Sequence, residues 1–172
     1  MTTETQTDRT DALLGAAEEA FGFVPNVLRE MSASPGALDT YLSGQKALAA
    51  PGARLSERDR NLVQLAVSQH FDCEYCKTAH AGIARKLGSS PEAIEAASTG
   101  GEVDASEGGA FVDAARLLLA KHGKLDGRDL ARLEAAGVDR PMLIELVGSI
   151  SLKVLSTWVN HIAGTEIDPQ FS

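Results

Sequence analysis

The chain has 172 residues, which is enough for one domain with a sizeable hydrophobic core. Hydrophobic residues make up 44% of it, a proportion typical of globular proteins and not of disordered ones. The formal net charge of -8 argues against nucleic-acid binding, because phosphate contacts need clustered Lys and Arg side chains.

The polar start of the chain and its apolar runs bear on location. Residues 1–10 contain no apolar core of the kind that a secretory signal peptide has. We also identify no apolar run long enough to span a bilayer. We therefore expect a cytoplasmic protein with no membrane association. The only two cysteines lie three residues apart, unlike a secreted disulfide framework. In a cytoplasmic chain such a pair indicates redox chemistry or metal binding.

Hydrophobic periodicity and capping residues predict helices throughout, and no alternating stretch predicts a strand. Residues 1–10 are expected to form a flexible tail and residues 11–172 a single helical domain. The expected helices, in chain order, cover residues 11–20, 26–31, 35–50, 56–71, 73–87, 91–97, 107–121, 127–136 and 140–163. We therefore predict an all-α fold, a bundle of several helices joined by short loops.

Predicted N-caps fix several of these helix starts. Ser34 precedes a proline, Ser56 precedes acidic residues, and Asp72, Asp126 and Asp139 each precede a helical pattern. A side-chain oxygen at such a position accepts a hydrogen bond from an otherwise unpaired N–H of the first turn.

Chemistry is concentrated in residues 70–80, which contain His70, Cys73, Cys76 and His80. If Cys73 lies in the first turn of its helix, Cys76 and His80 follow three and seven residues later on the same face. Helix N-terminal N–H groups and a nearby imidazole both favour the thiolate, which is the reactive form of cysteine. The spacing therefore predicts a redox site that needs no metal or cofactor.

Three hypotheses explain this segment. In the first, a thiolate attacks a peroxide, the resulting sulfenic acid condenses with the second cysteine, and an external thiol or dithiol reduces the disulfide. In the second, His70, Cys73, Cys76 and His80 form a structural zinc site. In the third, the cysteines pack as small hydrophobic side chains in a scaffold that has no chemistry.

The dithiol segment Cys73-Glu74-Tyr75-Cys76 with His80 resembles the alkylhydroperoxidase D (AhpD)-like, carboxymuconolactone decarboxylase superfamily. Residues 55–56 and 62–68 share that resemblance. The segment 21–26 looks like the peroxidase-related branch, and residues 160–168 also look like the superfamily. The resemblance covers most of the chain, and the dithiol with its histidine is its most specific part.

The resemblance implies an AhpD-like helical bundle that assembles as a homo-oligomer, a trimer or a multiple of it. It also implies a peroxidase that serves antioxidant defence, with a hydroperoxide as substrate and a thiol or dithiol as reductant. In the family pattern Cys76 forms the sulfenic acid, Cys73 acts as proton donor and disulfide partner, and His80 belongs to a proton relay.

One position departs from the family pattern. The relay usually includes a glutamate twelve residues before the first cysteine, and that position is Asn61, whose amide cannot take up a proton near neutral pH. Glu57, one helical turn earlier, and His70 are the candidate replacements. The departure leaves open a dithiol-disulfide oxidoreductase without efficient peroxidase activity. A carboxymuconolactone decarboxylase-like enzyme is a further alternative.

Overall fold

The structure is a computed structural model that describes residues 6–171. This part of the chain forms nine α-helices and two short 3-10 turns, with no strand among the described residues, so the predicted all-α fold is confirmed. The helices are α1 (Gln6–Phe21), α2 (Asn26–Met31), α3 (Pro35–Leu48), α4 (Glu57–His70), α5 (Glu74–Lys86), α6 (Pro91–Thr99), α7 (Gly109–Ala120), α8 (Gly127–Ala135) and α9 (Arg140–Ala163). The 3-10 turns are Ala105–Glu107 and Pro169–Phe171.

Four of the predicted side-chain caps are present in the structure. Ser34, Ser56, Asp126 and Asp139 each accept a hydrogen bond from a backbone N–H in the first turn. The α9 helix ends at Gly164, which adopts a left-handed conformation with φ of 63° that suits glycine. The predicted bounds of α2 and α9 are confirmed, and α9 has both a capping side chain before it and a glycine after it.

Most predicted helix bounds differ from the structure by one or two residues, and the start of α1 differs by five. The α1 helix begins at Gln6 rather than at residue 11, so residues 6–10 of the expected tail are helical, while residues 1–5 lie outside the described residues. The α7 helix begins at Gly109 because the preceding residues form the 3-10 turn. The assignment of residues 11–172 to one domain stays our proposal.

The α4 helix lies at the centre of the bundle. Every residue from 61 to 68 is buried, and α4 packs against α5, α6, α7 and α9. A helix that is buried on all sides needs apolar side chains nearly throughout, which Leu62, Val63, Leu65 and Val67 provide. Asn61, Gln64 and Ser68 are the buried polar residues of this stretch.

The α9 helix is long and apolar enough to cross a membrane by length and composition, contrary to the expectation from sequence. It nevertheless packs against α2, α3, α4 and α7. Of its most apolar stretch of 18 residues, 39% is buried inside the protein. Its buried residues include Lys153 and Asn160. We therefore describe α9 as a core helix with one exposed side.

The buried apolar side chains form two clusters. The larger cluster joins α4 and α9 to α6, α7 and α8. The smaller cluster lies among α1, α2, α3 and the start of α5, and it contains both cysteines. The dithiol therefore lies inside the protein, between the first three helices and the end of α9.

Candidate functional site

Cys73 is the N-cap of α5, one position outside the helix. Its Sγ accepts a hydrogen bond from the backbone N–H of Cys76 at 3.3 Å. The predicted cap at Asp72 is therefore wrong: this residue has a φ of 52°, in the left-handed region that turns the chain into the helix, and its side chain pairs with Lys77. A cysteine sulfur thus takes the capping role that a carboxylate oxygen was expected to play.

Cys76 lies in the first turn of α5 and is fully buried, while Cys73 is 2% exposed. Two side chains of α9 contact its sulfur: the amide Nδ2 of Asn160 donates at 3.2 Å, and the hydroxyl of Thr157 lies 3.5 Å away. These groups come from a helix more than eighty positions further along the chain. The sulfur of Cys76 therefore has a polar environment inside an apolar cluster.

The two thiols have opposite acidities. A hydrogen bond from Cys73 lowers the pKa of Cys76 to about 5, helped by the charge of Lys153 and the contacts from Thr157 and Asn160, against an opposing effect of burial. The pKa of Cys73 is raised by the same hydrogen bond and then by burial. At neutral pH the pair therefore holds one thiolate, on Cys76, and one thiol, on Cys73.

His80 is buried and its ring is held from both sides. The Nδ1 atom lies 2.7 Å from Oδ1 of Asn61, and Nδ2 of Asn61 donates to the backbone carbonyl of His80 at 2.8 Å. Because that carbonyl can only accept, the amide orientation is fixed and Nδ1 must be the donor to Oδ1. Nε2 is then an acceptor, and Lys153 donates to it at 3.1 Å.

The imidazole of His80 is therefore neutral. Burial lowers the pKa of His80 well below its usual value, and the nearby charge of Lys153 lowers it further. No hydrogen bond joins His80 to either sulfur among the described residues, although the sequence predicts direct assistance. The group with a positive charge near Cys76 is Lys153, and His80 holds its ammonium.

Glu57 and His70, the two candidate replacements for the missing carboxylate, are exposed on the surface. Glu57 begins α4, and His70 ends it with its ring against Phe71. Neither has a hydrogen bond or ion pair to His80 or to the cysteines in the part of the chain that the structure describes. Of Asn61, Glu57 and His70, Asn61 alone contacts His80. The prediction that Glu57 or His70 replaces the missing carboxylate is therefore wrong.

The zinc hypothesis needs four ligands that point to one place. His70 lies at the surface, and Nε2 of His80 faces an ammonium group. Within residues 6–171, no group of three or more His, Cys, Asp and Glu side chains could hold a metal ion. The geometry of these residues therefore does not fit a structural zinc site.

Sequence reasoning missed three residues of the site, namely Lys153, Thr157 and Asn160. They follow one another at intervals of four and three along α9, so their side chains share one face. A lysine and an asparagine inside a largely apolar helix are the sequence signal for this polar face. Nothing in the local sequence of the dithiol, however, indicates which helix lies against it.

The end of the chain helps to cover the dithiol. Tyr75, between the two cysteines, donates to the buried carboxylate of Asp168 at 2.6 Å. The same carboxylate accepts from the backbone N–H of Asn26, at the start of α2. Phe171 lies edge-on against the ring of Tyr75. The residues after α9 therefore connect α2 to the dithiol helix.

The fold and the site define an all-helical protein with a buried dithiol at the start of a helix. The chain belongs to the carboxymuconolactone decarboxylase family, whose match covers residues 35–120. The family resemblance inferred from the sequence is confirmed. A comparison with curated proteins gave no significant match.

Solved structures share the fold over nearly the whole chain. A peroxidase-related protein from Silicibacter sp. TM1040 is 19% identical, with a TM-score of 0.80 over 99% of this chain and 90% of that chain. A peroxidase-related protein from Ralstonia eutropha JMP134, with an alkylhydroperoxidase AhpD core, is 19% identical, with a TM-score of 0.83 over 95% and 87%. The debrominase Bmp8 is 17% identical, with a TM-score of 0.74 over 99% and 95%. At these identities the likeness establishes the fold alone.

Proposed function

We propose that the protein is a thiol-dependent peroxidase in which Cys76 attacks a hydroperoxide and Cys73 forms the disulfide. The observation that carries the proposal is the asymmetry of the two thiols. Hydrogen bonds and the charge of Lys153 lower the pKa of Cys76 to about 5, so its sulfur is a thiolate at neutral pH. Cys73 keeps its proton. A thiolate beside a thiol is the state that a two-cysteine peroxidase needs before it reacts.

The first step consumes the peroxide. The Cys76 thiolate attacks the terminal oxygen of R–O–O–H, an S–O bond forms, and the O–O bond breaks. The sulfur is oxidised by two electrons to a sulfenic acid that keeps the hydrogen of the terminal oxygen. The alkoxide leaving group takes the proton of the Cys73 thiol and departs as an alcohol, which leaves Cys73 as a thiolate.

The second step closes the disulfide. The Cys73 thiolate attacks the Cys76 sulfenic acid at sulfur, an S–S bond forms, and hydroxide leaves. Lys153 supplies the proton that turns hydroxide into water. Its ammonium is held by Nε2 of His80, and its charge acts on the sulfur of Cys76. An external thiol or dithiol then reduces the disulfide, and Lys153 regains a proton from solvent.

The hydrogen bonds of His80 support Lys153 as the proton source. A relay through the imidazole would end at Oδ1 of Asn61, and an amide takes up no proton near neutral pH. The neutral ring instead accepts from the ammonium through Nε2 and holds it in place. In this proposal His80 and Asn61 are positioning residues, and the exposed Glu57 and His70 take no part.

Both sulfurs are buried, so the hydroperoxide has to reach them through a movement of the covering segments. The residues after α9 and the short helix α2 are the cover nearest to Tyr75. We propose an antioxidant role in the cytoplasm, with a small hydroperoxide as the substrate and a thiol or dithiol as the reductant.

The experiment that tests the proposal is alkylation followed by peroxide treatment. Iodoacetamide at neutral pH is expected to label Cys76 before Cys73, because only the thiolate reacts. Peroxide is expected to give a sulfenic acid on Cys76 in the Cys73→Ser variant and no oxidation in the Cys76→Ser variant. Preferential labelling of Cys73 would reverse the assigned roles, and no reaction of the reduced protein with peroxide would reject the function.

Asn61 favours a second function, that of a dithiol-disulfide oxidoreductase. Without a carboxylate on Nδ1 of His80, proton delivery during peroxide reduction depends on the Cys73 thiol in the first step and on Lys153 in the second. Disulfide exchange places a smaller demand on proton delivery, since a thiolate can leave without a proton. Rapid exchange with small disulfides together with negligible peroxide consumption would favour this function.

A further inference from the structure

The side-chain amide of Asn160 touches the sulfur of the proposed nucleophile. Its Nδ2 lies 3.2 Å from Sγ of Cys76 and 4.0 Å from Sγ of Cys73. A thiolate can only accept hydrogen bonds, so the NH₂ end of the amide must face it. Asn160 is 4% exposed, and it lies in the last turn of α9.

The other end of the amide has no donor. Oδ1 of Asn160 is buried and has no hydrogen-bond partner within residues 6–171. Buried carbonyl oxygens in proteins are nearly always hydrogen-bonded, because leaving one unpaired costs free energy. The backbone carbonyl of Asn160, by contrast, accepts hydrogen bonds from the N–H groups of Gly164 and Thr165 at the end of α9.

Oδ1 is bonded to the same carbon as Nδ2, so this unpaired acceptor lies beside the sulfur of Cys76. We propose that Asn160 binds the hydroperoxide: Oδ1 accepts the hydrogen bond of the terminal O–H while Nδ2 holds the sulfur that attacks that oxygen. The assignment rests on the proposed peroxidase function, and it makes Asn160 a substrate-binding residue of the site.

The chemistry of the reaction suits this arrangement. The oxygen that the thiolate attacks is the one that carries the hydrogen, and that hydrogen remains on it in the sulfenic acid. A hydrogen bond from this O–H to Oδ1 is therefore kept from the bound peroxide to the product. One amide group thus aligns sulfur and oxygen, which lowers the entropic part of the barrier.

The assignment predicts a difference between two electrophiles. A peroxide needs the acceptor Oδ1, whereas iodoacetamide alkylates the same thiolate and offers no hydroxyl hydrogen at the attacked atom. The measured quantity is the ratio of the second-order rate constants for hydrogen peroxide and iodoacetamide. Each variant is assayed at a pH where its Cys76 is fully ionised, so that the ratio is independent of acidity.

Asn160→Ala is expected to lower this ratio by at least about tenfold, the loss typical of a hydrogen bond made in the transition state. Thr157→Val is the matched control, because Thr157 contacts the same sulfur and has no carbonyl oxygen beside it. It should change both rates in proportion and leave the ratio unchanged. Asn160→Asp keeps Oδ1 and loses the donor, so its ratio should fall less than that of Asn160→Ala.

An unchanged ratio in a folded Asn160→Ala protein overturns the assignment while the peroxidase function stands. If the alanine variant does not fold, Asn160→Leu, which has a similar volume and no acceptor, is measured in its place, and an unchanged ratio would equally reject the role of Oδ1. A wild-type protein that reacts with iodoacetamide but not with peroxide would reject both the assignment and the function on which it rests.

Discussion

Lys153 places an ammonium group inside the protein at 4% exposure, with Nε2 of His80 as its hydrogen-bond partner. None of the ion pairs in residues 6–171 includes it. A buried charge is costly unless an opposite charge compensates it, and the nearby anion is the Cys76 thiolate. This chain therefore has a cation, Lys153, paired with the thiolate, whereas the family pattern has a carboxylate that contacts the histidine.

Removal of this cation is expected to make Cys76 less acidic. Lys153→Met should raise the pKa of Cys76 above its value of about 5, because the thiolate loses its favourable charge interaction. The thiolate fraction and the alkylation rate at about pH 6 should then fall. Titration of the thiolate absorbance against pH measures the midpoint.

The matched control is Lys124→Met, which removes an exposed lysine far along the chain from the dithiol. It should leave the midpoint unchanged, since solvent screens an exposed charge. An unaltered midpoint in the Lys153 variant would contradict the pairing of Lys153 with the thiolate.

Asn61 is the basis of a second prediction about a single residue. If the missing carboxylate limits turnover, Asn61→Glu should raise the rate of peroxide reduction, because a carboxylate on Nδ1 lets His80 carry a proton. Assistance by a general acid or base is typically worth ~10²- to 10⁴-fold, so even a partial gain is measurable in a peroxide consumption assay. A rate that stays the same or falls in a folded variant would show that Lys153 alone meets the demand.

Glu57→Gln is the companion variant. Glu57 lies on the surface at the start of α4, so its loss should leave the peroxide rate unchanged. A clear fall in that rate would restore Glu57 to the site.

Local spacing was sufficient to predict part of the site. Cys73, Cys76 and His80 lie within eight residues, and the position of Asn61 follows from the family pattern. Lys153, Thr157 and Asn160 come from a helix that folds back onto the dithiol. Their contact depends on tertiary packing, which spacing along one segment does not determine.

At the scale of elements, helix ends were predictable where a cap and a breaker flank the segment, as Asp139 and Gly164 flank α9. The start of α5 was not, because a left-handed Asp72 shifts the cap by one residue to Cys73. Capping by a cysteine sulfur is not a pattern that propensity reveals. The same shift brings Sγ of Cys73 to the N–H of Cys76, so it matters for the chemistry.

The start of α7 depends on a close approach at Gly109. A side chain at this buried position would overlap the carbonyl oxygen of Val103, which is backbone and cannot move aside easily. Gly109→Ala is therefore expected to destabilise the protein by about 1–3 kcal/mol, the usual cost of overpacking. Urea denaturation followed by circular dichroism measures the change.

Gly127→Ala is the control for this prediction. Gly127 begins α8 with open space around its Cα, so alanine should be neutral or stabilise by about 0.4–1 kcal/mol. Equal effects of the two substitutions would show that helix propensity, and not the contact with Val103, governs both sites.

At the scale of the whole molecule, one side of α9 is apolar and exposed. The exposed side chains fall at helical spacing and share one face: Ile144, Val147, Trp158 and Ile162. A face of this kind on a small domain is usually covered by another chain. Together with the family resemblance it supports our proposal of a homo-oligomer, a trimer or a multiple of it.

Sedimentation velocity tests this assembly. The wild type should sediment as a trimer or a multiple of it, and Ile162→Lys should shift it toward monomer, because Ile162 is 87% exposed and a charge there opposes association. Leu130→Lys, at another exposed apolar position on α8, should leave the mass unchanged. A stable wild-type monomer at micromolar concentration would reject the oligomer.

The buried cation also has a consequence for redox poise. Closing the disulfide removes the thiolate whose charge compensates Lys153, and no ion pair in residues 6–171 includes this lysine, so the oxidised form loses a favourable interaction. The bridge spans too short a loop to restrain the unfolded chain much. Oxidised protein should therefore melt at a lower temperature than reduced protein, and Lys153→Met should narrow the gap. A higher melting temperature after oxidation would contradict this prediction.

An interaction that stabilises the dithiol form makes the dithiol-disulfide couple more oxidising. Lys153 therefore makes the protein a strong acceptor of electrons from its reductant.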